Sequence, residues 1–105
     1  MGNESMRIIA RNNLTDYWAR HPLTQAPLSH WLRVTKAATW TDPQAVLADF
    51  SKAKALNGER VRFDIGGGDH RLIVAFDFPR QVAFIKFIGT HAEYDRVDAL
   101  TISRF

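Results

Sequence analysis

The sequence predicts an α+β protein with helices in its first half and an antiparallel sheet in its second. Apolar residues between positions 14 and 50 recur with helical spacing, whereas from residue 60 onward they alternate with polar residues. Gly66-Gly67-Gly68 and Pro79-Arg80 separate three alternating runs, as the turns of a meander do. Helices followed by antiparallel strands define the α+β class.

The N-terminal residues predict a strand and then a helix. Arg7-Ile8-Ile9-Ala10 is a short apolar run that is typical of a strand. Asn12 or Asn13 is the expected N-cap of a helix over about residues 14–21. Pro22 is expected to end this helix. Four side chains then share one helical face by their spacing: Leu14, Tyr17, Trp18 and His21.

Two further helices have clear start signals. Thr24 as N-cap and Pro27 in the first turn predict a helix to about Ala38, and the first two helices then form a helical hairpin. Asp42-Pro43 places an N-cap before a proline at N1, which predicts a short helix reaching Phe50. The polar residues 51–59 that follow predict a loop.

The short turns set a register for the three strands and sort their side chains between two faces. Two-residue loops at Gly67-Gly68 and Pro79-Arg80 give these pairs: Asp64 with Arg71, Arg62 with Ile73, Ile73 with Lys86, and Arg71 with Ile88. One face is then wholly apolar and is expected to pack on the helical hairpin. Its members are Val61, Phe63, Ile65, Leu72, Val74, Phe76, Ala83, Ile85 and Phe87.

The opposite face of the predicted sheet carries three cations. Arg62, Arg71 and Lys86 lie on neighbouring strands about 5 Å apart, so they span roughly 10 Å. That width suits a phosphodiester with its flanking sugars. A solvated face with an Asp64–Arg71 pair accounts for the same residues, and at this stage both interpretations stay open.

A last short helix is expected to begin beside this polar face. Thr90 and Glu93 have the spacing of a capping box, which places His91 at the start of the helix. His91 is a candidate base or acid for proton transfer. Tyr94, three residues on, either stacks on a base, donates a proton or anchors the helix. Asp95 either orients His91 or pairs elsewhere.

Composition excludes several classes of protein. The net charge of +3 comes from 14 Lys and Arg against 11 Asp and Glu, and indicates an anionic partner only weakly. The absence of Cys excludes disulfides, thiol nucleophiles and Cys-based zinc sites, and it fits the reducing cytoplasm. His21, His30 and His70 lack ligand spacing, so neither a metal nor a cofactor is predicted.

Length and hydropathy set the domain prediction. The 105 residues suit one domain, which we expect over residues 6–105. Met1-Gly2-Asn3-Glu4-Ser5 before Met6 has the character of a cloning-vector remnant. No apolar run approaches the roughly 20 residues of a membrane span, so no membrane association is predicted.

Three segments of the sequence resemble the HigB-type toxins of the RelE/ParE superfamily. They are Arg62-Phe63-Asp64-Ile65-Gly66-Gly67, Arg71-Leu72-Ile73-Val74 and Phe87-Ile88-Gly89-Thr90-His91-Ala92-Glu93-Tyr94-Asp95. The resemblance extends over nearly the whole chain from Met6, including the hairpin with Trp31 and the helix after Trp40. Residues 89–95 are its most specific part. The family usually has Asn at the position of Asp64, and commonly Asn at that of Gly68.

The resemblance implies a RelE-like fold and a toxin of a toxin–antitoxin pair. Members of the family typically cleave mRNA, often on the ribosome, and are neutralised by a helix-turn-helix antitoxin of the HigA kind. Carried onto this chain, His91, Arg71 and Tyr94 are the catalytic candidates, and Arg62 and Lys86 are the RNA-binding ones. The expected reaction is metal-independent attack by the RNA 2′-OH. The alternative is a ParE-like toxin that inhibits a protein such as gyrase, or an RNA binder without cleavage.

Overall fold

The computed structural model describes residues 5–105, in which one mixed sheet lies against a group of helices. The α+β prediction is confirmed, but the sheet has five strands rather than a three-stranded meander. Their order across the sheet is β1 (Arg7–Ile9), β5 (Val82–Thr90), β4 (His70–Asp77), β3 (Arg60–Ile65) and β2 (Ala53–Ala55). The helices are α1 (Asn12–Arg20), α2 (Gln25–Ala37), α3 (Pro43–Asp49) and α4 (His91–Tyr94). The expected vector remnant lies, apart from Ser5, outside the described residues.

Two strands extend the meander at its edges: β1, which confirms the strand predicted at the N-terminal apolar run, and β2, which was not predicted. β1 pairs in parallel with β5, with Arg7 opposite Val82. β2 pairs antiparallel with β3, with Ala53 opposite Phe63, so the predicted loop over residues 51–59 was wrong in part. Three residues are too few for an alternating pattern to be visible in the sequence. β2 forms because the edge of β3 supplies its hydrogen-bond partners.

The predicted register between β3 and β4 is confirmed. Asp64 lies opposite Arg71, and Arg62 lies opposite Ile73. Gly66, Gly67 and Gly68 in the connecting turn all have positive φ values, between 61° and 96°. Side chains other than glycine rarely adopt this conformation, so the glycine run fixes the tight connection that sets the register.

The predicted register between β4 and β5 was wrong over half of its length. From Val74 to Asp77 the pairs are those expected, but a bulge between Ile73 and Val74 shifts the remainder by one residue. Ile73 therefore pairs with Phe87 instead of Lys86, and Arg71 pairs with Gly89 instead of Ile88. A one-residue shift exchanges the two faces of a strand.

The apolar face of the sheet and the helices form the core. The core residues of β3 and β4 are those predicted, but Ile88 takes the place expected for Phe87 on β5. From the helices, Leu14, Leu28 and Trp31 are 0–1% exposed and pack into the same cluster. The helical hairpin therefore covers this face as predicted.

The starts of the helices agree only partly with the predicted caps. Asp42 caps α3, since its Oδ1 accepts a hydrogen bond of 2.9 Å from the backbone N–H of Ala45. In contrast, α1 begins at Asn12 itself with Arg11 in the N-cap position, so the predicted asparagine caps were wrong. Thr24 does precede α2, but its hydroxyl donates to the carbonyl of His21 and serves the preceding 3-10 turn instead.

The C-terminal segment covers part of the opposite face of the sheet. The Arg60 guanidinium donates to the carbonyls of Ala99 and Ile102 at 3.1 and 2.8 Å, and the N–H of Arg104 donates to the carbonyl of Lys86. The side chain of Arg104 lies over the ring of Phe87, which is fully buried. This face is consequently not an open solvated sheet surface. The part near α4 displays Arg62, Asp64 and Arg71, which stay partly exposed.

Candidate functional site

Two arginines meet one tyrosine where the polar face reaches α4. The Cζ atoms of Arg62 and Arg71 lie 5.7 and 5.5 Å from the ring centroid of Tyr94. Arg62 and Arg71 extend from adjacent strands, and Tyr94 is the last residue of α4. Cations within about 6 Å of an aromatic face are attracted to it, so the ring supports both guanidinium groups. The structure thus brings together three of the five predicted site residues.

Asp64 completes this arginine–tyrosine cluster. Its Oδ1 accepts a hydrogen bond of 2.6 Å from Arg71 Nη1 and lies 3.3 Å from Arg62 Nε. The side chains of Arg62, Asp64 and Arg71 are 22, 24 and 13% exposed. Among residues 5–105, neither arginine Nε has a hydrogen-bond acceptor of suitable geometry, although both atoms are shielded from solvent. Each guanidinium therefore retains unused donor capacity.

His91 begins α4 as the capping-box spacing predicted. Thr90 Oγ1 accepts from the N–H of Glu93, and Glu93 Oε1 accepts from the N–H of Thr90. His91 Nδ1 lies 3.1 Å from Asp95 Oδ2, and the imidazole is 51% exposed. Asp95 therefore faces Nδ1 of the ring, and Nε2 is the nitrogen open to another partner. The capping box also lowers the pKa of Glu93, chiefly because the Thr90 backbone N–H donates a hydrogen bond to its carboxylate.

Lys86 belongs to a different part of the polar face. Its Nζ lies 5.5 Å from the ring centroid of Phe84 and 3.4 Å from Ser103 Oγ. It lines an open cavity of about 630 Å³ together with Arg60 and Phe84. The bulge in β5 separates it from the row of Arg62 and Ile73 in which the sequence placed it. Its RNA-binding role stays a prediction.

Sequence reasoning missed a group of aromatic and imidazole rings on α1 and β4. The Tyr17 hydroxyl and His70 Nδ1 share a hydrogen bond of 2.6 Å, and His21 stacks on Tyr17 with centroids 4.3 Å apart. The two histidines are 49 positions apart in the chain, so sequence spacing alone gave no indication of their contact. His70 pairs with Thr90 in the ladder, which places this group beside the start of α4.

Burial sets the ionisation of this group. It raises the pKa of Tyr17 to about 12, with a smaller contribution from Glu93. It also lowers the pKa of His70, and the neighbouring His21 lowers it further. Both partners are therefore neutral at pH 7, and the hydrogen bond between the Tyr17 hydroxyl and His70 Nδ1 joins two uncharged groups.

The free energy of unfolding is expected to decrease as the pH is lowered past about 6.5, the ordinary pKa of histidine, because of His70. Since its pKa is lower in the folded protein, the unfolded chain binds the proton more readily as the pH falls. We expect the melting temperature to drop less between pH 7.5 and pH 5 in His70→Gln than in the wild type. Equal drops in the two proteins would show that His70 does not contribute to the pH dependence.

The sequence was compared with models of protein families. Residues 24–97 match the HigB toxin family, described as the RelE-like toxic component of a toxin-antitoxin system. This chain belongs to the HigB toxin family. A search of curated proteins finds no match.

The family assignment confirms the resemblance seen in the sequence. The matched region of this HigB-family toxin contains Arg62, Asp64, Arg71, His91 and Tyr94, and hence the whole cluster beside α4. As a toxin of a toxin–antitoxin system, the protein has an antitoxin as its partner.

Two further findings concern metals and membranes. Within residues 5–105, no three His, Asp or Glu side chains lie close enough together to share a metal ion. None of the helices in this range has the length and apolar character needed to cross a membrane.

Proposed function

We propose that this HigB-family toxin is an endoribonuclease that cleaves mRNA on the ribosome without a metal ion. The observation that supports the proposal most directly is the convergence of Arg62 and Arg71 on Tyr94, beside the exposed His91. Phosphate is an ideal acceptor for guanidinium donors, and an aromatic ring provides a surface for base stacking. The residues around α4 thus match what an RNA strand offers.

The proposed reaction uses a nucleophile that RNA itself supplies. The 2′-oxygen attacks the adjacent phosphorus as it loses its proton to a base, and the bond from phosphorus to the 5′-oxygen breaks. The leaving oxygen takes a proton from an acid. The products are a 2′,3′-cyclic phosphate and a 5′-hydroxyl end. Arg71, assisted by Arg62, stabilises the extra negative charge that develops on the phosphorane oxygens.

The two proton transfers fall to His91 and Tyr94. Asp95 Oδ2 lies 3.1 Å from His91 Nδ1, so Nε2 is the nitrogen available for the substrate. Tyr94 lies three positions further along the same short helix, under two guanidinium groups. Either residue serves as the base while the other serves as the acid. A positioned group of this kind contributes roughly 10²–10⁴-fold to the rate.

The 2′-OH of the substrate provides the decisive test. We expect cleavage of an RNA to stop when the nucleotide 5′ to the scissile bond is 2′-deoxy or 2′-O-methyl. Mapping the ends of mRNA by primer extension, with ribosomes present and absent, locates that bond first. Cleavage is also expected to persist in EDTA, apart from any indirect loss of ribosome integrity, because arginine guanidinium groups supply the positive charge.

The experiment also separates the alternatives. Cleavage of the 2′-deoxy substrate at the normal rate would overturn the cyclic-phosphate mechanism. Growth inhibition without any new RNA ends would instead favour a toxin that blocks its target by binding, as ParE-like proteins do. The unmodified RNA of the same sequence is the matched control.

A further inference from the structure

A single carboxylate faces both arginines of the arginine–tyrosine cluster. Asp64 is two residues from Arg62 on β3 and directly opposite Arg71 on β4, so the register holds all three side chains on one face. Its Oδ1 is 2.6 Å from Arg71 Nη1 and 3.3 Å from Arg62 Nε. Asp64 thus offsets one of the two positive charges that Arg62 and Arg71 present.

An RNA phosphate would compete with this carboxylate for the same donor. Carboxylate and phosphate oxygens accept the same charge-assisted hydrogen bonds from guanidinium groups. Arg71 Nη1 already donates to Asp64, and the three side chains are at most 24% exposed. Salt and water screen such partly buried charges less than surface charges, so Asp64 still opposes phosphate binding at physiological ionic strength.

We infer that Asp64 is an internal competitor of the RNA phosphate and lowers the affinity of this toxin for RNA. The inference rests on the proposed function, because it takes Arg62 and Arg71 as the phosphate contacts. In the free protein Asp64 holds Arg71 in place over Tyr94. When RNA binds, a phosphate oxygen takes the Arg71 donor and the Asp64 carboxylate turns towards water.

Asp64→Asn tests the inference because it removes the charge and keeps the size and the acceptor oxygen. The probe is a short labelled 2′-O-methyl RNA, which retains the phosphates and lacks the nucleophile. We expect Asp64→Asn to bind it about fivefold more tightly at about 0.1 M salt. The slope of log K against log salt is expected to steepen by about 0.7, the value for one more neutralised phosphate on a single strand.

Asp16→Asn is the matched control, since it makes the same chemical change at an exposed position of α1, the helix on the other face of the sheet. It should leave both affinity and slope close to the wild type. An affinity of Asp64→Asn equal to that of Asp16→Asn would overturn the inference. Weaker binding by Asp64→Asn would also overturn it, because the Asp64 carboxylate would then favour RNA binding by holding Arg71 in place more than it opposes binding by competition.

The failure of this inference is distinguishable from failure of the proposed function. Binding is measured on an RNA that cannot react, whereas cleavage is measured separately on unmodified RNA with the wild-type protein. Tighter binding by Asp64→Asn with no cleavage by the wild type would support the competitor role and overturn the nuclease. Cleavage by the wild type with unchanged binding of Asp64→Asn would do the reverse.

Discussion

Arg71→Ala is expected to abolish growth inhibition and to lower RNA cleavage by roughly 10²–10³-fold, the usual effect of losing one group that stabilises transition-state charge. Arg71 points away from the core and is held by Asp64 and Tyr94. In the proposed mechanism, its removal takes away the principal cation that stabilises the phosphorane. Cleavage rates on a mapped substrate and growth curves after induction measure the two effects.

The fold of Arg71→Ala should stay intact. Asp64, 24% exposed, keeps contact with water once Arg71 is truncated, and its Oδ1 still lies 3.3 Å from Arg62 Nε, so the carboxylate is not left buried without a cation. Thermal melting near the wild-type temperature is therefore expected. Loss of folding would mean that Arg71 is a structural residue and would contradict its proposed role.

Two further variants sharpen this comparison. Arg33→Ala removes the same charge at an exposed position of α2, and it should leave cleavage unchanged. His91→Ala should abolish growth inhibition as Arg71→Ala does, again with a normal melting temperature, because His91 is half-exposed. A fully active His91→Ala would remove His91 from the proton transfers.

Phe76→Ala is expected to destabilise the protein by about 3–5 kcal/mol, the usual cost of truncating a buried aromatic side chain. Phe76 is 3% exposed, and its ring contacts Trp40 and Phe63 edge-on and stacks on Phe78 at 5.2 Å. Denaturant unfolding measures the free-energy change directly. The specific activity of the remaining folded fraction should equal that of the wild type.

Phe105→Ala is the matched control for this truncation. Phe105 is 46% exposed, so the same change of side chain should cost less than about 1 kcal/mol. A normal unfolding curve for Phe76→Ala would place Phe76 outside the core and would contradict the packing described above.

The half of the site on β3 and β4 could be predicted from the sequence. The glycine turn leaves one register for two strands whose apolar residues alternate, and this register alone puts Asp64 opposite Arg71. Capping-box spacing likewise predicted the start of α4 at His91. Both predictions rest on interactions between residues close together in the chain, which local patterns encode.

The position of Lys86 could not be predicted from the sequence. Residues 84–88 are Phe-Ile-Lys-Phe-Ile. Because two apolar residues follow the lysine, an apolar side chain faces the core whether or not a bulge is present. Alternation therefore could not reveal the bulge that carries Lys86 away from Arg62. One residue, Ile73, indicated that the predicted arrangement was incomplete. It is aliphatic and was assigned to the open polar face, but its side chain is 0% exposed in the structure.

The contacts of Tyr17 and Arg60 were equally inaccessible. Tyr17 meets His70 across 53 positions, and Arg60 meets Ile102 across 42. Each depends on how a helix or the C-terminal segment packs on the finished sheet. Periodicity identifies which residues are buried, but it does not identify the partners they find.

The parallel pairing of β1 with β5 has a consequence for the order of events during synthesis. Arg7 emerges early but pairs with Val82, so the edge of the sheet stays open until most of the chain has been translated. The arginine–tyrosine cluster also waits for Tyr94, and Arg60 waits for Ile102. Contacts so distant in sequence form late, after the local helices. The arginine–tyrosine cluster, which the proposed cleavage requires, therefore cannot form on a nascent chain before Tyr94 has left the ribosome.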